Sequence, residues 1–179
     1  MHRASEVGSD VRPLLAWSTS ISRGIIYGVS ASAYDRIVAA TSPPVTLDFI
    51  DAQEKRFASA FEANEIAQAR DLYHPEVIYR SPTSRLFNWP SRIEGVEATL
   101  QFIQLTITHC RNIRYRLDER AVLPEEAGAF TRIVFDWETK AARLRSIYVV
   151  IYRYRAGRIC QQEVYYDPSE PPELLGSHV

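Results

Sequence analysis

Ser146-Ile147-Tyr148-Val149-Val150-Ile151-Tyr152-Arg153-Tyr154-Arg155 runs through a short Ala156-Gly157 turn into Arg158-Ile159-Cys160-Gln161-Gln162-Glu163-Val164-Tyr165-Tyr166-Asp167-Pro168. Two runs of alternating tyrosine and aliphatic residues around a two-residue turn predict a β-hairpin. Period two puts Tyr148, Val150, Tyr152 and Tyr154 on one face, and Ile147, Val149, Ile151, Arg153 and Arg155 on the other. A column of tyrosines suits the wall of a small-molecule pocket, whereas a core alone is more readily built from Leu, Ile or Phe.

Upstream, strands are expected at 112–122, 127–139 and 143–155, with the closing strand at 158–167. Before them, Thr46 offers an N-cap to a helix running to about Ala63, with Phe49, Ile50, Phe57, Ala60 and Phe61 near helical spacing. Asn64 breaks it, and a short helix from Glu65 to Leu72 stops at His74-Pro75. Val77–Ser81 reads as a strand ended by Pro82. Residues 82–92 hold Leu86, Phe87 and Trp89, large apolar groups for a loop that folds over something. A helix follows from Val96 to about Thr108, with Leu100, Ile103 and Ile107 on one stripe. Helices followed by strands with short turns give an α+β domain, the helices on one face of a curved antiparallel sheet.

Composition narrows the partners. The 179 residues carry a net charge of −1, and only Lys55 and Lys140 are lysines among 21 basic residues. Arginines spread along a near-neutral chain give no reason to expect nucleic acid or membrane as partner. Cys110 and Cys160 lack metal-ligand spacing and read as free thiols of a reducing cytoplasm; neither a metal nor a cofactor is expected. Residues 1–44, rich in Ser, Ala and Gly and closing on Ser42-Pro43-Pro44, are read as a flexible extension or as the result of a start codon set too far upstream. The domain is expected over 45–169, with 170–179 as a tail. The uncharged stretches of the extension are too short for a membrane span.

Four stretches resemble the nuclear transport factor 2-like superfamily and, within it, the SnoaL-like (polyketide cyclase-like) domains. They are Phe57-Ala58-Ser59-Ala60-Phe61-Glu62-Ala63-Asn64, Leu72-Tyr73-His74-Pro75-Glu76-Val77-Ile78-Tyr79-Arg80-Ser81-Pro82, Ile93-Glu94-Gly95-Val96-Glu97-Ala98, and the closing hairpin. The resemblance implies a cone-shaped, cystatin-like barrel whose sheet curls around a pocket and whose outer face often dimerises. It also implies that Val150 and Tyr152, Tyr79 and Ser81, Ile133, Phe135 and Trp137, and Gln162, Val164 and Tyr166 face the pocket. The ligand contacts expected on this basis are Phe57, Phe61, Tyr79, Ser81, Trp89, Phe135, Trp137, Tyr148, Tyr152, Gln162 and Tyr166.

Specific chemistry can be checked against the ketosteroid isomerase-like branch. Its base carboxylate falls on Ser81, its tyrosine on Phe57 and its acid on Val150, so that chemistry is not expected here. The candidate general bases are Asp136 and Glu163, which by strand parity point outward beside Arg132, Arg145 and Arg153. A bulge would flip either inward, where a carboxylate–arginine pair such as Asp136 with Arg132 could position a water molecule. The expectation is a domain that binds a small apolar or aromatic molecule bearing polar oxygens, with any catalysis of the acid–base kind (isomerase, cyclase or hydrolase). The alternative is a non-catalytic homodimeric module joined through Ile147, Val149 and Ile151.

Overall fold

The computed structural model describes residues 44–123 and 127–177, so the extension expected over 1–44 lies almost wholly outside the described residues. Helix α1 spans Leu47–Glu62 because Thr46 caps it, its hydroxyl accepting from the Phe49 N–H at 3.1 Å, with Asp48 at the positive end of the helix dipole. Asn64, at a φ of 54°, ends it. A single 3₁₀ segment, Ile66–Leu72, leads into β1, Tyr73–Arg80. One turn of helix, α2 (Thr83–Leu86), and a two-residue strand, β2 (Ile93–Glu94), fill the apolar loop. Helix α3 covers Val96–Ile107. The remaining strands are β3 (Arg111–Leu123), β4 (Gly128–Glu138), β5 (Ala142–Arg155), β6 (Arg158–Tyr165) and β7 (Glu173–Ser177).

The expected hairpin is β5–β6. Ala156 and Gly157 both have positive φ, 50° and 73°, which matches the twist of the strands they join. The sheet order is β2-β1-β6-β5-β4-β3, with β7 pairing the first residues of β5. The sheet is mixed and is not closed into a barrel, which corrects the purely antiparallel expectation. β1 and β6 run parallel, a pairing open to them because the whole intervening domain serves as their crossover. The segment read as a tail contributes β7.

The ladder has one split. β5 pairs with β6 from Val149 onward and with β7 up to Arg145. Between them, residues 146–148 have a strand partner only on β4.

Helices and sheet meet over Phe57, Tyr73, Phe102, Ile133, Tyr152 and Ile159, each no more than 2 % exposed. Phe57 stacks on Tyr152 with ring centres 6.2 Å apart. Burying a side chain of this size contributes about 2 kcal/mol, which fixes α1 against the concave face of β5. Among the described residues, no helix is long and apolar enough to cross a membrane.

Candidate functional site

Between the concave sheet face and the helices lies a half-open cavity of about 710 Å³. Its floor is made by buried Tyr79 of β1, Tyr115 of β3, Ile133 and Phe135 of β4, Val150 of β5 and Gln162 of β6. Phe61 of α1 and Ile103 and Ile107 of α3 form the opposite wall. The rim is exposed and mixed. Leu86 and Phe87, 65 % and 38 % exposed, stand beside His109, Asp167, Glu170 and Glu173. The apolar loop therefore folds to the mouth of the cavity.

Strand parity decides what reaches the cavity. β4 and β5 pair from Gly128–Arg153 to Glu138–Arg143 without a bulge, so the alternation read from the sequence holds along both. Of the expected contacts, Phe61, Tyr79, Ser81, Phe135, Trp137, Tyr148, Gln162 and Tyr166 line the cavity. Phe57 and Tyr152 lie behind that wall, stacked on each other in the core. Trp89 packs on Phe102, 5.3 Å between ring centres, anchoring its loop below the rim.

Asp136 and Glu163 both sit on the outer face. Asp136 takes both a 2.6 Å and a 2.9 Å bond from Arg145, and that guanidinium holds its carboxyl below the usual range. The water-positioning pair considered above does not form on the cavity side, because Arg132 is paired with Asp118 instead. Glu163 accepts from Tyr165 at 2.6 Å, Arg80 at 2.5 Å and Gln161 at 2.8 Å. The Tyr165 hydroxyl and then Arg80 hold its pKa down.

Inside, the polar groups are neutral. Tyr73, fully buried on β1, donates to the Gln162 amide oxygen at 2.7 Å. This fixes the amide: flipped, it would leave the Tyr73 proton without an acceptor. The Gln162 amide nitrogen is left with no protein partner among the described residues. On the same side, Ser81 donates to Thr83 at 2.9 Å, and Thr83 and Tyr166 share a 2.7 Å bond. Run in the direction in which each hydroxyl donates once, this chain leaves the Tyr166 proton for the cavity. Burial pushes the Tyr148 hydroxyl up to about 12 and that of Tyr79 higher still, so both stay protonated donors at neutral pH. Among the described residues, the buried Trp137 indole N–H has no acceptor.

One acid was missed from the sequence. Glu54 of α1 is 2 % exposed, yet it is a carboxyl. It accepts from Tyr115 at 2.5 Å and from Gln53 at 3.0 Å, and Tyr152 also bonds it. Desolvation raises its pKa, and no cation is among the influences on it. The signal was present: Ile50, Glu54, Phe57 and Phe61 recur at the spacing of one buried helix face, and Glu54 interrupts it. Thr83 and Tyr115 were missed for want of a motif. Among the described residues, no cluster of His, Cys, Asp and Glu could hold a metal ion.

Comparison with solved structures returns the same architecture. A suggested isomerase from Bacillus subtilis superposes with a TM-score of 0.58 at 15 % identity, covering 68 % of this chain and 88 % of that one. A protein of ketosteroid isomerase-like fold from Catenulispora acidiphila, in complex with trimethylamine, gives 0.55 at 14 %, covering 70 % and 89 %. An LEH-like epoxide hydrolase from Mycobacterium tuberculosis gives 0.52 at 13 %, covering 67 % and 84 %. At such identities the likeness concerns the fold alone. No curated protein matches the sequence. The family model of the SnoaL-like domain matches residues 55–162, and with the architecture just described the chain belongs to the SnoaL-like family within the nuclear transport factor 2-like fold.

Proposed function

We propose that the cavity binds a neutral, largely aromatic molecule that presents hydrogen-bond acceptor oxygens, and that any chemistry done on it is cofactor-free acid–base chemistry. The observation that carries this reading is the Gln162 amide. An oxygen-anchored amide whose nitrogen has no partner among the described residues is a donor waiting for an acceptor, and it stands at the cavity floor. The surrounding wall supports it with the Tyr166, Tyr148 and Tyr79 hydroxyls, which can donate. The charged lining residues are Asp167, Glu170 and Glu173, exposed at the rim, and part-buried Arg145, which is paired with Asp136; none belongs to the floor, so a charged ligand would lose its hydration there without a counter-ion.

A carbonyl held by these donors is polarised toward an enol-like state, the electronic demand common to isomerisation, dehydration and ring closure. Relatives of this fold described as an isomerase and an epoxide hydrolase are consistent with that class. The two free cysteines accord with a reducing cytoplasm. The test is binding of aromatic ketones against shape-matched hydrocarbons, followed by NMR. Ketones are expected to bind about tenfold tighter, one hydrogen bond's worth, and Gln162→Leu to erase the difference. Equal binding of ketone and hydrocarbon to the wild-type protein would overturn the reading.

A second reading concerns assembly. Ile147 is 42 % exposed on the outer face, with Val149 and Ile151 half-buried beside it. This apolar strip would join two copies. Light scattering on Val149→Asp should report a monomer; an unchanged particle mass refutes the interface.

A further inference from the structure

We infer that the mouth of the cavity carries a one-residue β-bridge site at Ile147. It takes a small neutral molecule presenting an amide N–H and a carbonyl across one carbon, as an acylated α-amino ketone does. This deepens the proposed function and rests on it, since the same cavity receives the molecule.

The direction of the β5 backbone decides what the site offers. The Thr139 N–H donates to the Ala142 carbonyl at 2.9 Å, and the Tyr154 N–H donates to the Ala127 carbonyl at 3.1 Å. Between these two ends β4 and β5 pair without a bulge. In an antiparallel ladder each residue turns its N–H and C=O to one side, and the next residue turns them to the other. Even-numbered residues from Ala142 to Tyr154 therefore face β4, and odd-numbered ones face the opposite edge. The Cys160 thiol of β6, which donates to the Arg153 carbonyl at 3.4 Å, agrees with this direction.

Along that edge Arg145 is paired with Glu173 of β7, and Val149 with Tyr165 of β6. Ile147 stands between them, and its register partner is Val134 on the other side. Among the described residues, nothing bonds its N–H or its C=O. The intervening sequence explains why. Of residues 166–172, Pro168, Pro171 and Pro172 have no N–H to give. Ser169 and Glu170 direct theirs to the Asp167 side chain and carbonyl, at 2.8 and 3.3 Å.

Ile147 nonetheless lines the cavity. Its side chain stands on the outer face, 42 % exposed, while Ser146 and Tyr148 turn inward on either side of it. What Ile147 presents to the cavity is its backbone edge, with one donor and one acceptor pointing into the gap.

Two features select the occupant. Arg145 and Val149 are about 13 Å apart along the strand, and the ends of β7 and β6 fill both outer positions, so one residue's length is free. An extended peptide strand would collide with them; a small molecule fits. Asp167, Glu170 and Glu173 stand exposed at the same rim, which disfavours a free carboxylate. The complement of an edge residue is a residue-like unit: its carbonyl accepts from the Ile147 N–H while its own N–H donates to the Ile147 carbonyl.

A suitable probe is 2-(acetamidoacetyl)naphthalene, compared with its isostere carrying CH2 in place of the N–H, and with 2-acetylnaphthalene. The wild-type protein is expected to bind the amide about five- to tenfold more tightly than the isostere, one hydrogen bond's worth. Ile147→Pro, whose ring stands where the N–H was and blocks the pair, should abolish that preference; Ile147→Ala should keep it. It should also melt close to Ile147→Ala and well above Val149→Pro, which removes an N–H facing Tyr165. Hydrogen exchange reads the site directly, and decides alone should Ile147→Pro not fold. In the free wild-type protein the Ile147 N–H should exchange fast beside a protected Val149 N–H, and the amide probe should protect it. An Ile147 N–H protected without ligand, or left unprotected by the bound amide, overturns the inference. Equal binding of amide and isostere, or a preference that survives in Ile147→Pro, does the same. In each case the cavity reading stands as long as 2-acetylnaphthalene binds. If none of the three compounds binds, the cavity reading falls and takes this inference with it.

Discussion

Asp136 and Glu54 are two carboxyls on opposite sides of the same sheet, with opposite electrostatics. Asp136, outside, is gripped by Arg145 and held ionised; Glu54, inside, has phenols and an amide around it and is pushed toward its neutral form. The outer face repeats its pattern in Arg80–Glu163, Arg132–Asp118 and Arg143–Glu138. The inner face repeats its own in Tyr73–Gln162 and Tyr166–Thr83. Strand alternation has sorted charge from hydrogen-bonding capacity residue by residue. The cavity thus gains donors that stay in place without competing for counter-ions.

The contrast can be broken most forcefully from the inside. Phe57→Ala removes the ring that stacks on Tyr152, and urea unfolding should report a loss of about 3–5 kcal/mol. A loss under about 1 kcal/mol would mean the wall behind the cavity is loosely packed. Next in size is Gln162→Leu, which strands the buried Tyr73 proton. It should cost about 1–3 kcal/mol as well as the ketone preference, and the double variant Tyr73→Phe/Gln162→Leu should recover part of the stability.

Stability against pH sharpens the comparison further. A carboxyl whose pKa is raised on folding, as that of Glu54 is, contributes stability that is complete below the unfolded value near 4.5 and is lost as the pH climbs through the folded value. Asp136 and Glu163 have the opposite sign: their contribution is present above the ordinary carboxyl range and is lost as the pH falls through their lowered values. Thermal melts should therefore fall at both ends, and Glu54→Gln should flatten the alkaline limb only. The smallest effect is expected outside. Asp136→Asn should change stability by under about 1 kcal/mol, as for a pair on a solvated face, and leave ketone binding unaltered. Loss of ketone binding in Asp136→Asn would return that carboxylate to the site.

The sequence disclosed the fold through its periodicities. The β5–β6 hairpin, the capped first helix and the sorting of each strand into two faces follow from spacing, since period two or 3.6 needs no knowledge of partners; which face turns outward, and with it the side taken by Asp136 and Glu163, follows from the family resemblance. It did not disclose the parallel pairing of β1 with β6, which joins residues 80 and more apart along the chain. Nor did it disclose β7, where Pro171, Pro172 and a short apolar run carry little strand signal of their own. For the cavity, parity found the tyrosines and Gln162 but not how far each reaches. Phe57 and Tyr152 share the inward face and yet consume one another by stacking. Glu54 stood in plain view on the apolar stripe of α1, and its importance comes from tertiary neighbours on β1, β3 and β5.

The split in the ladder at residues 146–148 bears on kinetics. Asp167, Pro168 and residues 170–173 line the cavity and lead into β7, whose four register partners on β5 are its whole ladder among the described residues. Detaching that strand opens the mouth and exposes little apolar surface, so it belongs to the low-energy end of local unfolding while Phe57, Tyr73 and Tyr152 stay packed. For a molecule bound as proposed above, the expectation is that residence time depends on this peripheral strand and changes with substitutions at Leu174 or Gly176, which lie away from the cavity floor.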